Sequence, residues 1–477
     1  MLSSKHIWIV NPFDQLPNES DIPLRFWSLS KTLSKEGYKV TWWSSDFSHK
    51  HKTTRLPCAD TDGFSIRLIK TPSYKKNISL NRIISHHVFS KNFYDEAIKE
   101  LKANNIEKPF RIVISLPPLG VAERAFKLRD YINQAEEKDC GNVRVNSEIS
   151  CKVIIDIMDA WPEVFYRILP KKIRYYVAPI LLFFFHRSAK IAYQRADKIS
   201  AVGQSYLDIA QDYLYDQNFI SKLFIKNDYK NQALDKPTHL CYHGVNLKRF
   251  DSKIISKRSA EYNSLHQKIK LSGLGNIKFV HKEKAHLQIV YIGAMNSGYD
   301  LKTVIDVAEK WKNEGEILLK IHFAGKGDML DSLKLRSKKL GLLNPLDSEK
   351  QRSQIIFHGY LNNDEINNLL LSSDIALVTN RSETLVACPY KAGEYAGAGL
   401  PMISCLDGEF NSLLRLWSAG LTYDPENIQS LFNAINKYSK DFELLKKHNI
   451  NARNMAEYLF DREKTYKNFS KFIINNV

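Results

Sequence analysis

Short apolar runs alternate with amphipathic stretches along the first half of the chain. The runs His6–Val10 and Tyr38–Trp43 are rich in β-forming residues, and Leu24–Glu36 between them carries apolar residues at helical spacing before Gly37. Strands that alternate with helices of this length predict βαβ units and a parallel sheet. The same sheet is predicted to continue through the apolar runs Arg111–Leu116, Lys152–Met158 and Ala196–Val202.

A second alternating series follows the segment Leu240–Phe250, after a polar stretch at 251–285 that we interpret as an insertion. Two such series predict an α/β protein with two Rossmann-like parallel-sheet domains that face a central cleft. The predicted strands of the second series are Leu287–Ile292, Leu318–Ala324, Ile355–His358, Ile375–Thr379 and Pro401–Cys405, and its predicted helices are Leu301–Trp311, Asp364–Ser372, Lys391–Ala398 and Ile428–Tyr438.

The two series place the domain boundaries. We expect an N-terminal domain at 1–245, a C-terminal domain at 246–460, and a last helix within 461–477 that packs back on the N-terminal domain. Ligands of such sheets bind beyond the carboxyl ends of the strands. The loops that follow the strands are therefore the first place to look for chemistry.

Composition changes this picture only through charge. The chain of 477 residues is 44% apolar and 25% charged, as soluble globular proteins are, but its formal net charge is +17. A basic excess attracts nucleic acid, anionic lipid surfaces or phosphorylated small molecules, although lysines on solvated helix faces explain much of it equally well. No run of interleaved basic and aromatic residues resembles a nucleic-acid-binding module, so we predict no nucleic acid partner.

Cysteine usage and the apolar segments indicate a cytoplasmic protein. Six cysteines without any CxxC spacing fit reduced thiols rather than a disulfide framework or a zinc site. The longest uncharged apolar stretch, Val177–Phe185, has nine residues, whereas a membrane-spanning helix needs about 20. The first residues show no secretory signal, and we expect a cytoplasmic location.

Two glycine-containing loops follow predicted strands of the second domain. Gly293, Asn296, Ser297 and Gly298 lie between a strand and a helix, where backbone amides can approach a phosphate. A tight turn with Asp300 as a helix cap explains the same loop equally well. The second loop, with Gly325, Lys326 and Gly327, lacks the GxxxxGK[ST] spacing and disfavours a kinase or ATPase of that type.

The most informative stretch is Cys388–Cys405, CPYKAGEYAGAGLPMISC. Lys391 and Glu394 are three residues apart and share a face of the predicted helix. A carboxylate can accept hydrogen bonds from a ribose diol, and a lysine can offset the charge of a diphosphate. An ordinary surface ion pair is the alternative.

This stretch resembles the donor-binding element of retaining glycosyltransferases of family 4, which have the GT-B architecture. Their pattern Pro-x-Lys-x-x-Glu-Tyr…Gly-x-Pro is matched by Pro389, Lys391, Glu394, Tyr395, Gly399 and Pro401. The resemblance covers most of the chain and is strongest from about Tyr242. It implies that Glu394 binds the donor ribose, that the Gly293–Gly298 loop faces the diphosphate, and that no metal cofactor is needed. The donor-side candidates are Gly293, Asn296, Ser297, Gly298, Gly325, Pro389, Tyr390, Lys391 and Glu394.

The sequence departs from the family pattern at two points. Many relatives carry a glutamate eight residues before the ribose glutamate, where this chain has Val386, and Glu383 is the candidate to take its place. Relatives also often place Arg and Lys after the first glycine loop, where this chain has Asn296, Ser297 and Tyr299. Lys302, Lys326, Arg381 and Lys391 remain as candidates for the cation that faces the leaving phosphate.

In the first domain, Asp156–Glu163 resembles the Asp-x-x-Asp-x-Trp-Pro-Glu signature of a subset of these transferases that build bacterial surface polysaccharides. We expect Asp159 in the cleft near the donor sugar or the acceptor hydroxyl. The candidate catalytic residues are therefore Asp159, Lys326, Arg381 and Glu383. Asn11, Arg25 and Trp161 are the acceptor-side candidates. Carboxylates three residues apart also suggest a metal, but no histidine or further acid accompanies them closely enough to complete a ligand set.

Basic and aromatic residues cluster at 167–195, RILPKKIRYYVAPILLFFFHRSAKIAYQR. A buried helix pair with cationic ends is one interpretation, and an in-plane contact with an anionic membrane is the other. The lipid-linked acceptors usual for the resembling subset favour the membrane. Lys171, Lys172, Arg174, Arg187 and Lys190 would then meet lipid phosphates.

The resemblance implies transfer of a hexosyl or N-acetylhexosaminyl group from a UDP- or GDP-linked sugar to a lipid-linked or saccharide acceptor. The expected pathway is the synthesis of O-antigen, capsule or exopolysaccharide, at the inner face of the cell membrane. A nucleotide-sugar epimerase or phosphorylase on the same scaffold, or a non-catalytic basic membrane-binding protein, remains an alternative.

Overall fold

The computed structural model describes residues 5–60, 62–77, 79–139, 150–168, 172, 174–215, 236–250, 286–345, 351–381 and 384–475. It forms two compact domains. The N-terminal domain contains Met1–Tyr242 and Glu463–Val477, and the C-terminal domain contains His243–Arg462. The predicted insertion at 251–285 lies outside the described residues.

The N-terminal domain is built on a seven-stranded parallel sheet in the order β3-β2-β1-β4-β5-β6-β7. Helices flank the sheet, and Glu163–Ile168 forms a 3₁₀ turn after β5. The strands are β1 His6–Val10, β2 Lys39–Ser45, β3 Ser65–Ile69, β4 Arg111–Leu116, β5 Lys152–Ile157, β6 Lys198–Ala201 and β7 Thr238–Leu240. The helices are α1 Arg25–Lys35, α2 Leu80–Lys102, α3 Gly120–Asp139, α4 Arg174–Leu181, α5 Phe183–Arg195 and α6 Gln204–Tyr215.

The last helix of the chain, α14 (Arg462–Ile474), completes the N-terminal domain. Its Tyr466, Phe469 and Ile473 are buried in the same core as residues of β1, β2 and α1. The buried Arg111 donates from Nε to the carbonyl oxygen of Ile473 over 3.1 Å. A cation at the carboxyl end of a helix satisfies carbonyl groups that have no intrahelical partner.

The C-terminal domain contains a six-stranded parallel sheet in the order β10-β9-β8-β11-β12-β13. Its strands are β8 His286–Ile292, β9 Leu318–Ala324, β10 Ser353–Gly359, β11 Ile375–Val378, β12 Met402–Ser404 and β13 Gly420–Thr422. Its helices are α7 Leu301–Glu314, α8 Leu330–Lys339, α9 Asn363–Ser372, α10 Tyr390–Gly397, α11 Glu409–Trp417, α12 Ile428–Lys440 and α13 Phe442–Met455.

The predicted fold class is confirmed, with two Rossmann-like domains built on parallel sheets. Each sheet has a point where the strand order reverses, next to β1 and β4 in the first domain and next to β8 and β11 in the second. Loops at the carboxyl ends of such strand pairs diverge and leave room for a ligand. Among the described helices, none is long and apolar enough to cross a bilayer.

Candidate functional site

The loop after β8 is shaped by glycines that let two neighbouring loops touch. Gly293 has a φ of +149° and Gly325, after β9, a φ of +138°, both outside the usual range of other residues. A Cβ atom on Gly325 would lie 1.9 Å from the carbonyl oxygen of Gly293. A Cβ atom on Gly327 would lie 2.1 Å from the carbonyl oxygen of Met295. Gly325 therefore supports the first loop through close backbone packing.

Three amides of the first loop remain available for a ligand. The amide of Gly298 donates to Asn296 Oδ1 over 3.0 Å, and the amides of Gly293 and Met295 donate to the carbonyl oxygens of Ala324 and Lys326. Within the described residues, the amides of Ala294, Asn296 and Ser297 donate no hydrogen bond. A row of free backbone amides beside a helix N-terminus is a favourable environment for phosphate oxygens.

Asp300 precedes α7 but does not cap it with its side chain. Its carboxylate accepts from the hydroxyl of Thr303 over 2.6 Å and from the amide of Glu426 over 2.8 Å. These contacts tie the start of α7 to the loop before α12. Asp300 is thus the N-cap residue of α7, as the cap interpretation expects, but its side chain makes no capping hydrogen bond to the helix amides.

Lys391 lies on the first turn of α10, and its ammonium group is buried between two tyrosines. Nζ lies 4.2 Å from the ring centroid of Tyr291 and 4.4 Å from that of Tyr299. Within the described residues, Nζ has no hydrogen-bond partner. A Cβ atom on Gly293 would lie 3.6 Å from it, so Nζ lies directly beside the glycine loop.

Burial lowers the pKa of Lys391 to about 7. The two tyrosine rings act in the opposite direction, because the face of an aromatic ring attracts a cation. A buried ammonium group without a hydrogen-bonded partner is costly in free energy. An anion that enters the glycine loop would supply that partner.

Glu394 follows one turn later on α10 and faces a different partner. Arg249 Nη1 donates to its Oε1 over 3.1 Å, and Arg249 Nη2 donates to Asn367 Oδ1 over 2.8 Å. Burial raises the pKa of Glu394, and the nearby charges of Arg249 and Arg462 lower it. Oε2 makes no hydrogen bond to the described residues. No ion pair joins Lys391 to Glu394 among them, so the surface-pair alternative does not apply.

The small residues and the tyrosine of α10 fix its position. A Cβ atom on Gly393 would lie 2.8 Å from Val245 Cγ2, and one on Gly397 would lie 3.0 Å from Leu247 and Phe250. The buried hydroxyl of Tyr395 accepts a hydrogen bond from the amide of Ile292, the last residue of β8, over 2.8 Å.

Two more of the predicted donor-side residues, Pro389 and Tyr390, lie at the start of α10. Pro389 is the N-cap residue of α10, and the ring of Tyr390 lies edge-on against His243 at 5.5 Å.

Two further predicted residues of the C-terminal domain, Arg381 and Lys326, lie near the glycine loop after β8. The amide of Arg381 donates to the carbonyl oxygen of Gly298, and Arg381 Nε lies 3.8 Å from a carboxylate oxygen of Glu426. Lys326 Nζ lies over the ring of Tyr360 at 5.3 Å. Glu383 lies outside the described residues.

In the N-terminal domain, Asp159 and Trp161 come directly after β5. Burial raises the pKa of Asp159, while its hydrogen bond from the amide of Ala160 and the charge of Arg82 lower it. Trp161 is only 4% exposed, and the guanidinium carbon of Arg82 lies 5.2 Å from its ring centroid. Trp161 therefore supports Arg82 rather than presenting its ring to solvent.

The other two acceptor-side candidates are tied to the core of this domain. Arg25 makes a two-pronged ion pair with the buried Asp156, at 2.6 and 2.8 Å, and donates to the carbonyl oxygen of Cys241. Asn11 donates to Ser115 and accepts from the amides of Phe13 and Asp14. These contacts shape the loop after β1.

Sequence reasoning missed several of the charged and aromatic neighbours. Arg249, Tyr291 and Tyr299 hold the two predicted residues of α10, and Arg82 lies beside Asp159. Arg249 lies in the segment Leu240–Phe250, next to the predicted domain boundary, which was a usable signal. No local pattern marks the tyrosines, because their rings meet Lys391 only in the folded domain.

The segment around α4 and α5 exposes four large apolar side chains. Tyr176, Ile180, Leu181 and Phe184 are 79%, 77%, 61% and 74% exposed. Lys172 and Arg187 are exposed in the same segment. The side chains of Lys171 and Arg174 lie outside the described residues. An exposed apolar cluster of this kind marks a contact surface, and its neighbours here are cationic.

A known protein family matches part of the C-terminal domain. A model of the family described as glycosyl transferases group 1 matches residues 276–455. No curated protein matches the chain. Among the described residues, no three His, Cys, Asp or Glu side chains group as a metal site would require.

Solved structures resemble the chain over nearly its whole length. HepE from Anabaena, in complex with UDP and glucose, has a TM-score of 0.56 at 13% identity, with 98% of each chain covered. Sucrose-phosphate synthase from Thermosynechococcus elongatus has a TM-score of 0.59 at 12% identity, with 98% of this chain and 97% of that one covered. WaaG, a glycosyltransferase involved in lipopolysaccharide biosynthesis, has a TM-score of 0.55 at 13% identity, with 98% and 100% covered.

At these identities the likeness establishes the GT-B fold. The match to the glycosyl transferases group 1 model lies within the C-terminal part of this fold.

Proposed function

We propose that the protein is a retaining glycosyltransferase of the family 4 type that uses a UDP- or GDP-linked sugar as its donor. The observation that carries this proposal is the buried ammonium group of Lys391, which lacks a hydrogen-bond partner among the described residues and lies beside the loop of Gly293. Glu394 on the next turn of the same helix supplies a carboxylate. A cation and a carboxylate so placed suit the diphosphate and the ribose of one nucleotide.

The diphosphate half of the donor would lie on the loop after β8. When the bond between the sugar carbon and the phosphate oxygen breaks, the electron pair stays on the nucleotide diphosphate, whose negative charge increases. The free amides of Ala294, Asn296 and Ser297 and the ammonium group of Lys391 would stabilise that charge. The ammonium nitrogen would act strongly, because it is buried, although the side chain as a whole is half-buried.

The nucleoside half would lie at Glu394. Its Oε2 is available to accept a hydrogen bond from a ribose hydroxyl, and Arg249 on Oε1 favours the ionised carboxylate. A charged acceptor makes a stronger hydrogen bond than a neutral one. This position therefore recognises the nucleotide rather than the transferred sugar.

Titration calorimetry with UDP, GDP and UDP-glucose tests the donor site directly. We expect Lys391→Met and Glu394→Gln each to weaken nucleotide binding about tenfold or more, the loss typical of a hydrogen bond to a charged group. Lys334→Met, on the exposed face of α8, is the matched control and should bind as the wild type does. Binding should also persist in EDTA, since we propose a metal-independent reaction.

Normal nucleotide binding by both variants would overturn this site. With an active donor and acceptor, the anomeric configuration of the product, read by NMR, distinguishes retention from inversion. Incubation with the donor alone separates the epimerase alternative, since an epimerase changes the sugar without an acceptor.

On the acceptor side, we propose a lipid-linked or saccharide acceptor in cell-surface polysaccharide synthesis. The support is the resemblance of Asp156–Glu163 to the signature of that subset and the position of Asp159 at the carboxyl end of β5. One of the similar structures is a lipopolysaccharide glycosyltransferase. The group transferred would be a hexosyl or N-acetylhexosaminyl group.

We also propose that the exposed cluster of Tyr176, Ile180, Leu181 and Phe184 contacts an anionic membrane. Aromatic and aliphatic side chains insert at the level of the headgroups, and neighbouring cations bind lipid phosphates. Lys172 and Arg187 are exposed for that role. The protein would thus work at the inner face of the cell membrane, where a lipid-linked acceptor is found.

A further inference from the structure

A group of cationic and aromatic side chains gathers at the carboxyl ends of four strands in the N-terminal domain. These strands, β1, β2, β3 and β5, surround the point where the strand order of the sheet reverses. The side chains come from the loops after the strands and from the start of α2. They are Phe13, His49, Lys52, Tyr74, Arg82, His86 and Trp161.

Arg82 is held rigidly among aromatic rings. Its guanidinium carbon lies 5.2 Å from the ring centroid of Trp161 and 5.9 Å from that of Phe13. Its Nε donates to His86 Nε2 over 3.3 Å. Burial lowers the pKa of His86 to about 3, so the imidazole is neutral and its nitrogen can accept this hydrogen bond.

Lys52 lies beside Arg82 because both bind Asn77. Lys52 Nζ donates to Asn77 Oδ1 over 2.7 Å, and Arg82 Nη1 donates to the carbonyl oxygen of Asn77 over 2.8 Å. Nζ also lies 4.4 Å above the ring centroid of Tyr74. His49 Nδ1 and the hydroxyl of Tyr74 are hydrogen-bonded over 2.5 Å, and Lys52 Nζ lies 3.4 Å from the same Nδ1. Because an ammonium group can only donate, Nδ1 is the acceptor, so Tyr74 donates to it and His49 Nε2 carries the hydrogen as a further donor.

The charges of this cluster are not balanced. Neither Lys52 nor Arg82 forms an ion pair with a carboxylate of the described residues. Burial lowers the pKa of Lys52, and the charge of Arg82 lowers it further. Burial also lowers the pKa of Arg82, while Tyr74 and Asp159 raise it. Two partly buried cations held close together are costly unless an anion joins them.

We propose that Lys52 and Arg82 bind an oxyanion of the acceptor, a phosphate or a carboxylate group carried next to a sugar ring. A guanidinium group offers two parallel donors to such a group, and an ammonium group adds a point charge. His49 Nε2 supplies a further hydrogen bond. The inference rests on the proposed glycosyl transfer, because it takes the ligand of the N-terminal domain to be the acceptor.

Anion titrations of the full chain with saturating UDP test this site. The probes are inorganic pyrophosphate, which represents a diphosphate-linked acceptor, and glucuronate, which represents an acidic sugar. We expect at least one probe to bind, and Arg82→Gln and Lys52→Gln each to weaken it by about tenfold or more. Lys76→Gln, an exposed lysine in the same basic loop region, should leave binding unchanged.

The identity of the tighter probe tells the two sources apart. Preference for pyrophosphate indicates a diphosphate-linked acceptor, and preference for glucuronate indicates an acidic sugar. The proposal is overturned if neither anion binds, or if both bind Arg82→Gln and Lys52→Gln as they bind the wild type. Because Lys52 is less buried than Arg82, Lys52→Gln still tests the site if Arg82→Gln fails to fold. Failure of UDP binding would contradict the donor site alone, since the same anion titrations repeated without UDP still compare Arg82→Gln and Lys52→Gln with the wild type.

Discussion

At the scale of single residues, the burial of Lys391 links stability to ligand binding. Because burial lowers its pKa from 10.5 to about 7, the unfolded chain holds a proton between these values that the native protein lacks. The stability of the wild type therefore rises with pH across this window. Lys391→Met removes the buried amine, so we expect it to raise the melting temperature while it weakens UDP binding.

The gain in stability from Lys391→Met should be larger at about pH 6 than at about pH 9. Thermal or urea unfolding at both pH values, without nucleotide, measures the difference. A gain that did not depend on pH would mean that Lys391 keeps an ordinary pKa in the native protein. A lower stability of the variant at both pH values would mean that packing with Tyr291 and Tyr299 dominates.

The sequence predicted Lys391 and Glu394 as site residues but not the side chains that they contact. Their types and their spacing on one helix were enough to indicate nucleotide chemistry, with the help of a family resemblance. The partners Tyr291, Tyr299 and Arg249 come from separate elements far away in the chain. Such contacts arise only when the sheet places the ends of β8 and the start of α10 side by side.

At the scale of elements, a substitution of Gly393 in α10 tests whether the glycines of this helix position the site. Alanine normally stabilises a helix by about 1 kcal/mol relative to glycine. In Gly393→Ala the new Cβ atom would lie 2.8 Å from Val245, a buried and stiff side chain. We therefore expect destabilisation by about 1–3 kcal/mol, the usual cost of overpacking.

Urea unfolding measures the stability of Gly393→Ala, and nucleotide titration should show weaker binding, since α10 carries Lys391 and Glu394. A variant that was more stable than the wild type would show that helix propensity outweighs the contact with Val245.

The sequence predicted the central strands well but missed the edge strand β3 and helix α2. The central strands β1, β4 and β5 are buried along nearly their whole length and are largely apolar, because helices cover both faces of the sheet. The edge strand β3 was missed, since it is mostly half-exposed and contains Ser65 and Arg67. Helix α2 was missed as well, because its buried face includes Ser85, His86 and Ser90 and shows little apolar periodicity.

At the scale of the whole molecule, the exposed apolar cluster on α4 and α5 predicts membrane binding. We expect Ile180→Ser combined with Phe184→Ser to reduce flotation with liposomes that contain anionic lipid, because inserted apolar area drives binding. The matched control is Leu416→Ser, since Leu416 is 78% exposed on α11 in the other domain. High salt should weaken binding of the wild type, as screening reduces attraction between Lys172, Arg187 and lipid phosphates.

If the double variant leaves flotation unchanged, or if Leu416→Ser reduces flotation equally, a specific membrane surface is contradicted.

At the scale of the whole molecule, the fold class was predictable from the two strand-and-helix series alone. The cationic cluster of Lys52 and Arg82 was not predictable, because its members are spread over several loops and the start of α2, between residues 13 and 161, and share no motif.

The burial of Tyr466, Phe469 and Ile473 from α14 in the core of the N-terminal domain has a consequence for protein synthesis. The ribosome releases the chain from its N-terminus, so the C-terminal domain leaves it complete while the N-terminal core still lacks these three side chains. The domain that is made first is thus finished last, and part of its apolar core stays open until the last helix has been made.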